Sequence, residues 1–113
     1  MKPSLRNIRR AVARHNIKLA PNRWGVQEDR GRYVGELSVC PLGSLLLGTV
    51  ALEGPLQDAA RLIGKTDNWI EGYTDGFDGA VLDWVESLEF RQGNRVGKLH
   101  RRLLSSEIGK ELT

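Results

Sequence analysis

The sequence is poor in cysteine and lacks any long hydrophobic run. Cys40 is its single cysteine, so no internal disulfide can form and a metal site built on paired cysteines is excluded. No apolar stretch is longer than three residues, as in Leu45-Leu46-Leu47, which is far short of the roughly 20 residues that cross a bilayer. No apolar stretch follows the basic N-terminus, so no signal peptide is indicated. We therefore expect a cytoplasmic protein that does not associate with membranes.

The usual signatures of catalysis and ligand binding are also missing. The sequence holds no glycine-rich phosphate loop, no serine elbow and no zinc signature. A calcium loop starting at Asp75 fails because Phe77 and Gly79 occupy its third and fifth positions. We therefore expect no metal, no cofactor and no enzymatic activity.

Cys40 is the one residue that carries an enzymatic hypothesis. It precedes Pro41 at a predicted helix N-terminus, where the positive end of the helix would stabilise a thiolate. Catalysis also needs a base, and neither His15 nor His100 is near in sequence. A buried cysteine beside a leucine-rich helix is the commoner arrangement, and we favour it here.

What the chain does contain is typical of one globular domain. It has 113 residues, of which 40% are hydrophobic and 27% charged, so it can bury one core but is too short for two domains. We expect a single domain over residues 1–113, with a frayed tail from 105 to 113.

Charge is segregated along the chain, although the net charge is only +3. Basic residues outnumber acidic ones in residues 1–35 and again in residues 91–113, whereas acidic residues outnumber basic ones in residues 57–89. The three segments could neutralise one another on the folded surface. Alternatively, a positive face could meet an anionic partner.

The periodicity of apolar residues predicts a mainly α fold (α+β class) of about five short helices around one core. Helices are expected at 5–16 with Ser4 as N-cap, at 41–48, between Pro55 and Gly64, at about 67–78 with Thr66 or Asp67 as cap, and at about 80–106 with a possible break at Gln92-Gly93-Asn94.

Alternation of apolar and polar residues over 24–39 predicts one small β-hairpin, with a turn at Glu28-Asp29-Arg30-Gly31. We expect a core that contains Leu5, Ile8, Val12, Trp24, Leu37, Leu42, Leu45, Leu46, Ile63, Trp69, Ile70, Tyr73, Phe77, Val81, Leu88, Val96 and Leu99, with His15 at least half-buried.

A short internal repeat in the sequence predicts how two helices pack against each other. Gly72 and Gly76 follow Trp69, and Gly93 and Gly97 follow Phe90 at the same spacing. Each glycine inside a helix costs roughly 1 kcal/mol relative to alanine, so the four glycines need compensation. We expect the helices around 67–78 and 90–104 to cross tightly at these glycines.

Residues 56–77 resemble the helix-turn-helix motif of DNA-binding proteins. Ala60, Gly64 and Ile70 match the small, turn and aliphatic positions of that motif. Lys65 departs from it, since an apolar residue usually follows the turn glycine. The helix that would read DNA carries Asp67, Glu71, Asp75 and Asp78 and no basic residue, and these acids would repel phosphates.

These observations favour a small non-catalytic binding protein, most simply a protein–protein interaction module such as an inhibitor or adaptor. The alternative is a nucleic-acid-binding protein that uses a basic N-terminal face or a degenerate helix-turn-helix at 56–77. The oligomeric state is left open between monomer and homodimer. For either partner the candidate binding residues are the arginines of the N-terminal third: Arg6, Arg9, Arg10, Arg14, Arg23, Arg30 and Arg32.

Overall fold

The helices of the computed structural model lie close to where the sequence predicts them. The structure describes residues 1–20, 27–28, 37–52, 54–79 and 87–108. Within these ranges the fold is mainly helical with a minor β element, as predicted. Its elements are α1 (Leu5–His15), β1 (Lys18–Leu19), β2 (Gln27–Glu28), β3 (Leu37–Val39), α2 (Pro41–Leu46), α3 (Leu56–Ile63), α4 (Asp67–Asp78) and α5 (Leu88–Leu103), with 3-10 helices at Val50–Leu52 and Ser105–Glu107.

Side-chain caps define where the longer helices begin. Ser4, Thr66 and Ser87 each accept a hydrogen bond from the backbone N–H three residues later, at 3.2 Å in all three cases. Gly64 and Gly79 end α3 and α4 in the left-handed conformation, with φ of 80° and 83°. The caps at Ser4 and Thr66 were predicted, whereas the one at Ser87 was not.

The predicted hairpin is part of a three-stranded sheet of order β1-β3-β2. β2 pairs antiparallel with β3, so Glu28, expected in the turn, lies opposite Leu37 in a strand. β1 pairs parallel with β3 through Lys18 with Ser38 and Leu19 with Val39, and this strand was not predicted. The rest of the predicted hairpin lies outside the described residues.

The expected frayed tail stays a prediction. Ser105–Glu107 forms a 3-10 helix, and Ile108 makes an isolated parallel bridge with Leu19. Residues 109–113 lie outside the described part of the chain.

The core sits between α1, α2, α4 and the end of α5. Most predicted core residues with described side chains are buried or packed against the core. Leu88 and Leu99 are exceptions, because 67% and 41% of their surface is exposed. The prediction that His15 is at least half-buried is also wrong, since it is exposed at the last residue of α1.

The glycine crossing is confirmed. A Cβ built on Gly72 would overlap the carbonyl oxygen of Phe90, and one built on Gly93 would overlap that of Trp69. Gly76 and Gly97 meet the carbonyl oxygens of Asn94 and Tyr73 in the same way. Only glycine lets the two backbones come this close.

The contacts show the direction in which the helices run. Gly72 faces Phe90 and Asn94, and Gly76, one turn later, faces Asn94 and Lys98. The order rises along both helices, so α4 and α5 are parallel where they cross. Phe90, Gly93 and Gly97 each lie 21 positions after Trp69, Gly72 and Gly76, so the crossing is an approximate two-fold arrangement of two similar segments.

The predicted break at 92–94 is wrong, because α5 is continuous through it. Gly93 keeps helical geometry there since α4 covers it. Asn94 is buried, and its side-chain amide donates to the carbonyl of Gly72 at 3.2 Å. The local propensity for a turn is overridden by this packing.

Candidate interaction surface

The glycine crossing determines which face of α5 is exposed. Phe90, Gly93, Asn94, Gly97 and His100 are buried. The opposite side of the helix therefore points outwards, and with about 100° per residue it brings Leu88, Leu99 and Leu103 within about 60° of the circumference. Their exposed fractions are 67%, 41% and 40%. α5 thus presents a row of three partly exposed leucines, of which Leu99 and Leu103 are one turn apart and Leu88 lies about three turns before Leu99.

A basic stripe runs beside this leucine row. Arg91, Arg95, Lys98 and Arg102 are all exposed and also lie within about 60° of the circumference of α5. None of the four makes an ion pair with any described residue. We call the leucine row and the basic stripe together the α5 face.

Arg101 lies outside this face and serves the fold. Its guanidinium donates to the carbonyl of Phe77 at 2.7 Å and lies 5.4 Å from the centre of the Phe77 ring. The arginine therefore joins the end of α5 to the end of α4.

Arg9, one of the predicted binding residues, is also used internally. Its Nη2 donates to the carbonyl of Leu103 at 3.0 Å, and its Nε lies 3.3 Å from a carboxylate oxygen of Glu107. These contacts place α1 against the end of α5. Arg9 therefore holds one edge of the α5 face in position.

Arg6, Arg10 and Arg14 remain available for a partner. They are exposed, they recur every fourth residue on α1, and none makes an ion pair or hydrogen bond with a described residue. The other predicted binding residues, Arg23, Arg30 and Arg32, lie outside the described residues. Whether all seven arginines form one patch stays a prediction.

A cavity of about 540 Å³ opens between the start of α1, the turn after α3 and the middle of α5. Ile63, Trp69 and Val96 form apolar walls, and Lys2 and Lys65 are the charged side chains that line it. The Lys65 ammonium lies 5.2 Å from the centre of the Trp69 ring. The volume is within the range of about 300 to 1,000 Å³ that holds a large side chain or small ligand.

The segment that resembles a helix-turn-helix does form two helices joined by a turn at Gly64. α5 covers one side of α4 at Gly72 and Gly76, and Trp69 and Tyr73 are buried in the core. The remaining exposed side carries Asp67, Glu71, Asp75 and Asp78. The charged residues on this side of α4 are therefore all acidic, although Asn68 is exposed there too, and the negative charge disfavours a place for α4 in a DNA groove.

Cys40 is buried rather than presented to solvent. Only 5% of it is exposed, and its sulfur accepts a hydrogen bond from the N–H of Gly43 at 3.3 Å. Burial raises the pKa of the Cys40 thiol to about 12, and the nearby Asp78 carboxylate also raises it. The thiol is therefore protonated at neutral pH, which is unfavourable for a nucleophile.

Of the two histidines, His100 lies in the core and bonds to Tyr73. The two side chains are 2.7 Å apart, and burial lowers the pKa of His100. His15 is exposed on α1. Among the described residues, no group of three or more His, Cys, Asp or Glu is placed to hold a metal ion.

The α5 face was missed in the sequence because Leu88 and Leu99 were assigned to the core. The signal that could have found it is the pair Gly93 and Gly97. Once these glycines are assigned to the crossing, the helical repeat places both leucines on the opposite side, beside Arg95 and Arg102.

Within the described ranges, no helix combines the length and apolar character that a membrane crossing requires. Comparison with known protein families, with characterised proteins and with solved structures finds no match to this chain.

Proposed function

We propose that this protein is a protein–protein interaction module that binds an acidic partner protein through the α5 face. The observation that carries the proposal is the exposed row of Leu88, Leu99 and Leu103 beside basic residues that form no ion pair with any described residue. Clustered exposed leucines mark binding surfaces, because a soluble domain gains nothing by leaving them in water. Arginine is enriched at protein–protein interfaces relative to the rest of the protein surface.

The pattern favours a protein over a nucleic acid. A nucleic acid would pair with the basic stripe but would leave the leucines largely uncovered. An amphipathic helix with leucines on one side and carboxylates along its edge would cover both rows. Charge would then set the approach and the orientation, while the leucines would supply burial.

The 540 Å³ cavity extends the same surface towards α1, because Val96 of α5 forms one of its walls. A large apolar side chain of the partner would bury itself against Trp69, and a neighbouring carboxylate would meet Lys2 or Lys65. Such anchors in pockets typically supply most of the binding free energy.

A binding role also agrees with the state of Cys40. Its thiol is buried and protonated, and the four glycines serve the helix crossing rather than an open site. The single free cysteine suits a reducing compartment, so we place the protein in the cytosol. We therefore propose binding rather than catalysis.

A second candidate is nucleic-acid binding through the N-terminal face. The observation in its favour is that Arg6, Arg10 and Arg14 have no acidic partner among the described residues. In that case, the affinity for nucleic acid would fall steeply with salt concentration and would drop when these three arginines are replaced.

An affinity experiment with a matched control separates the candidates. The full chain, immobilised, is incubated with extract of the source organism, with and without nuclease. Leu99→Asp changes the α5 face, whereas Leu62→Asp changes a leucine of α3 that is also 41% exposed. We expect one acidic protein to be retained by the native chain and by Leu62→Asp, and to be lost with Leu99→Asp.

The proposal fails if only nucleic acid is retained, or if both aspartate variants lose the protein equally. It also fails if the native chain sediments as a dimer that Leu99→Asp dissociates, because the α5 face would then be covered by a second copy of the chain.

A further inference from the structure

A second, smaller cleft lies between α1 and α2, away from the glycine crossing. Its volume is about 290 Å³. Asn7, Arg10, Arg14 and His15 line it from α1, and Leu45 and Leu47 line it from the other side. None of the described residues that line it is a carboxylate.

The polar groups of the cleft fall into two sets. Asn7 donates to the carbonyl of Lys2 at 2.9 Å, and Ser44 on the opposite wall donates to the carbonyl of Pro41 at 2.5 Å. Each of these two side chains makes a hydrogen bond within the fold, and both shape the walls.

Arg10, Arg14 and His15 have no ion pair or hydrogen bond with a described residue. Arg10 and Arg14 are one helical turn apart, so their side chains project along the same side of α1 and can close on one anion. The cleft therefore combines two guanidinium groups that no described residue occupies, an imidazole and an apolar wall.

We propose that this cleft binds a phosphate monoester, with the phosphate between Arg10 and Arg14 and the esterified group against Leu45 and Leu47. A guanidinium presents its N–H groups as a planar fork that fits phosphate oxygens in pairs. A phosphate monoester carries about −1.5 to −2 charges at pH 7, so it balances two guanidinium groups, whereas a carboxylate balances one.

The cleft lies at the C-terminal end of α1, and this position is compatible with a bound anion. The end of a helix carries about half a negative charge, which acts against an anion, but two full positive charges outweigh it. Arg9 shows what an acidic neighbour does on the same helix, because Glu107 and the Leu103 carbonyl occupy its guanidinium. Arg10 and Arg14 have no such neighbour in the described residues.

The test uses the full chain and follows its backbone amide signals by two-dimensional NMR during titration with phosphoserine, with adenosine monophosphate, with inorganic phosphate and with acetate. We expect the esters to shift signals of residues 7–15 and 44–47 and to bind more tightly than acetate. The two esters tell an amino-acid phosphate from a nucleotide as the source of the group.

Arg10→Gln and Arg14→Gln should each weaken ester binding by about tenfold or more, because each removes a charge-assisted pair of hydrogen bonds. Arg6→Gln is the matched control, since Arg6 is exposed on the same helix but does not line the cleft. An equal loss in Arg6→Gln would mean diffuse attraction to a basic helix and would overturn the proposal, as would acetate binding as tightly as the esters or no shift with any ester. Thermal unfolding of each variant shows that the fold is kept. The α5 face takes no part, so failure here leaves the proposed function standing.

Discussion

The hydroxyl of Tyr73 lies 2.7 Å from Nδ1 of His100, and the two rings meet edge to face in the core. Only 6% of His100 is exposed. Burial lowers the pKa of His100 and raises that of Tyr73, so both groups are neutral at pH 7 and share one hydrogen bond. The bond links the middle of α4 to α5, one turn after Gly97.

This arrangement predicts that stability falls in mild acid. The unfolded chain takes up a proton at His100 near the ordinary pKa of 6.5, whereas the folded chain does so only at lower pH. The unfolded state therefore binds more protons below pH 6.5, and the free energy of unfolding decreases as pH falls from there. Urea unfolding between pH 7.5 and 5 measures the effect.

The two histidines provide the control for that measurement. His15→Gln removes the other histidine ring, which is exposed on α1, and is the matched control variant. His100→Gln should lower stability at pH 7, because the core loses a fitted ring, and should flatten the slope between pH 6.5 and 5. An unchanged slope in His100→Gln would show that other groups cause the acid sensitivity.

A second prediction concerns the glycine crossing. Alanine has the higher helix propensity by about 1 kcal/mol, so Gly72→Ala would stabilise α4 if the site were open. A Cβ at Gly72 would instead overlap the backbone of Phe90, and we expect a loss of at least about 2 kcal/mol. Gln92→Ala, at an exposed position of α5, is the control and should be nearly neutral. Urea unfolding measures the free energy of unfolding of Gly72→Ala: a decrease shows that α5 closes the site, whereas an increase would show that the site is open.

Local signals were sufficient for much of the fold. Ser4 and Thr66 cap helices because a side-chain oxygen is needed there whatever the tertiary structure. The glycine pairs indicated a crossing because their cost had to be offset somewhere. The relative direction of the two helices could be read only from the structure. The spacing allows several arrangements, and the one in which Gly72 meets Phe90 and Gly93 meets Trp69 is one of them.

Other features left no local trace. β1 has two residues, Lys18 and Leu19, which is too short for alternation to be seen, and it exists because β3 pairs with it. Leu99 is a different case: its spacing is that of a core leucine, and only its combination with the crossing at Gly93 and Gly97 shows that it faces outwards. The interaction surface was therefore less predictable than the helices, because exposure depends on which side of α5 is covered.

The assignment of the α5 face makes a stability prediction that is independent of any partner. Leu104 is fully buried at the end of α5, and Leu104→Ala should cost about 2 to 5 kcal/mol. Leu99→Ala, five residues earlier, should cost about 1 kcal/mol or less, because 41% of its surface is exposed and its loss leaves no closed cavity. Comparable losses in the two variants would mean that Leu99 belongs to the core.

Cys40 should be inert in the folded protein. Burial raises the pKa of its thiol to about 12, so almost no thiolate exists at pH 8. We expect a disulfide reagent to modify the native chain no faster than the chain opens, and to react at once in urea. Rapid reaction under native conditions would show that the thiol is reachable and would reopen the case for catalysis at Cys40.

The neighbouring arginines of α1 should differ in what they contribute to stability. Arg9 pairs with Glu107 and donates to the Leu103 carbonyl, whereas Arg10 does neither. The ion pair is partly exposed, with half of the Arg9 side chain in water, so it contributes at most about 1 kcal/mol, and the hydrogen bond adds a similar amount. We expect Arg9→Ala to cost about 1 to 2 kcal/mol and Arg10→Ala less than about 0.5 kcal/mol.

A double-mutant cycle of Arg9→Ala with Glu107→Gln isolates the ion pair, and its coupling energy should shrink in high salt. If Arg10→Ala is as damaging as Arg9→Ala, Arg10 has a structural partner and the cleft beside it is not free to bind an anion.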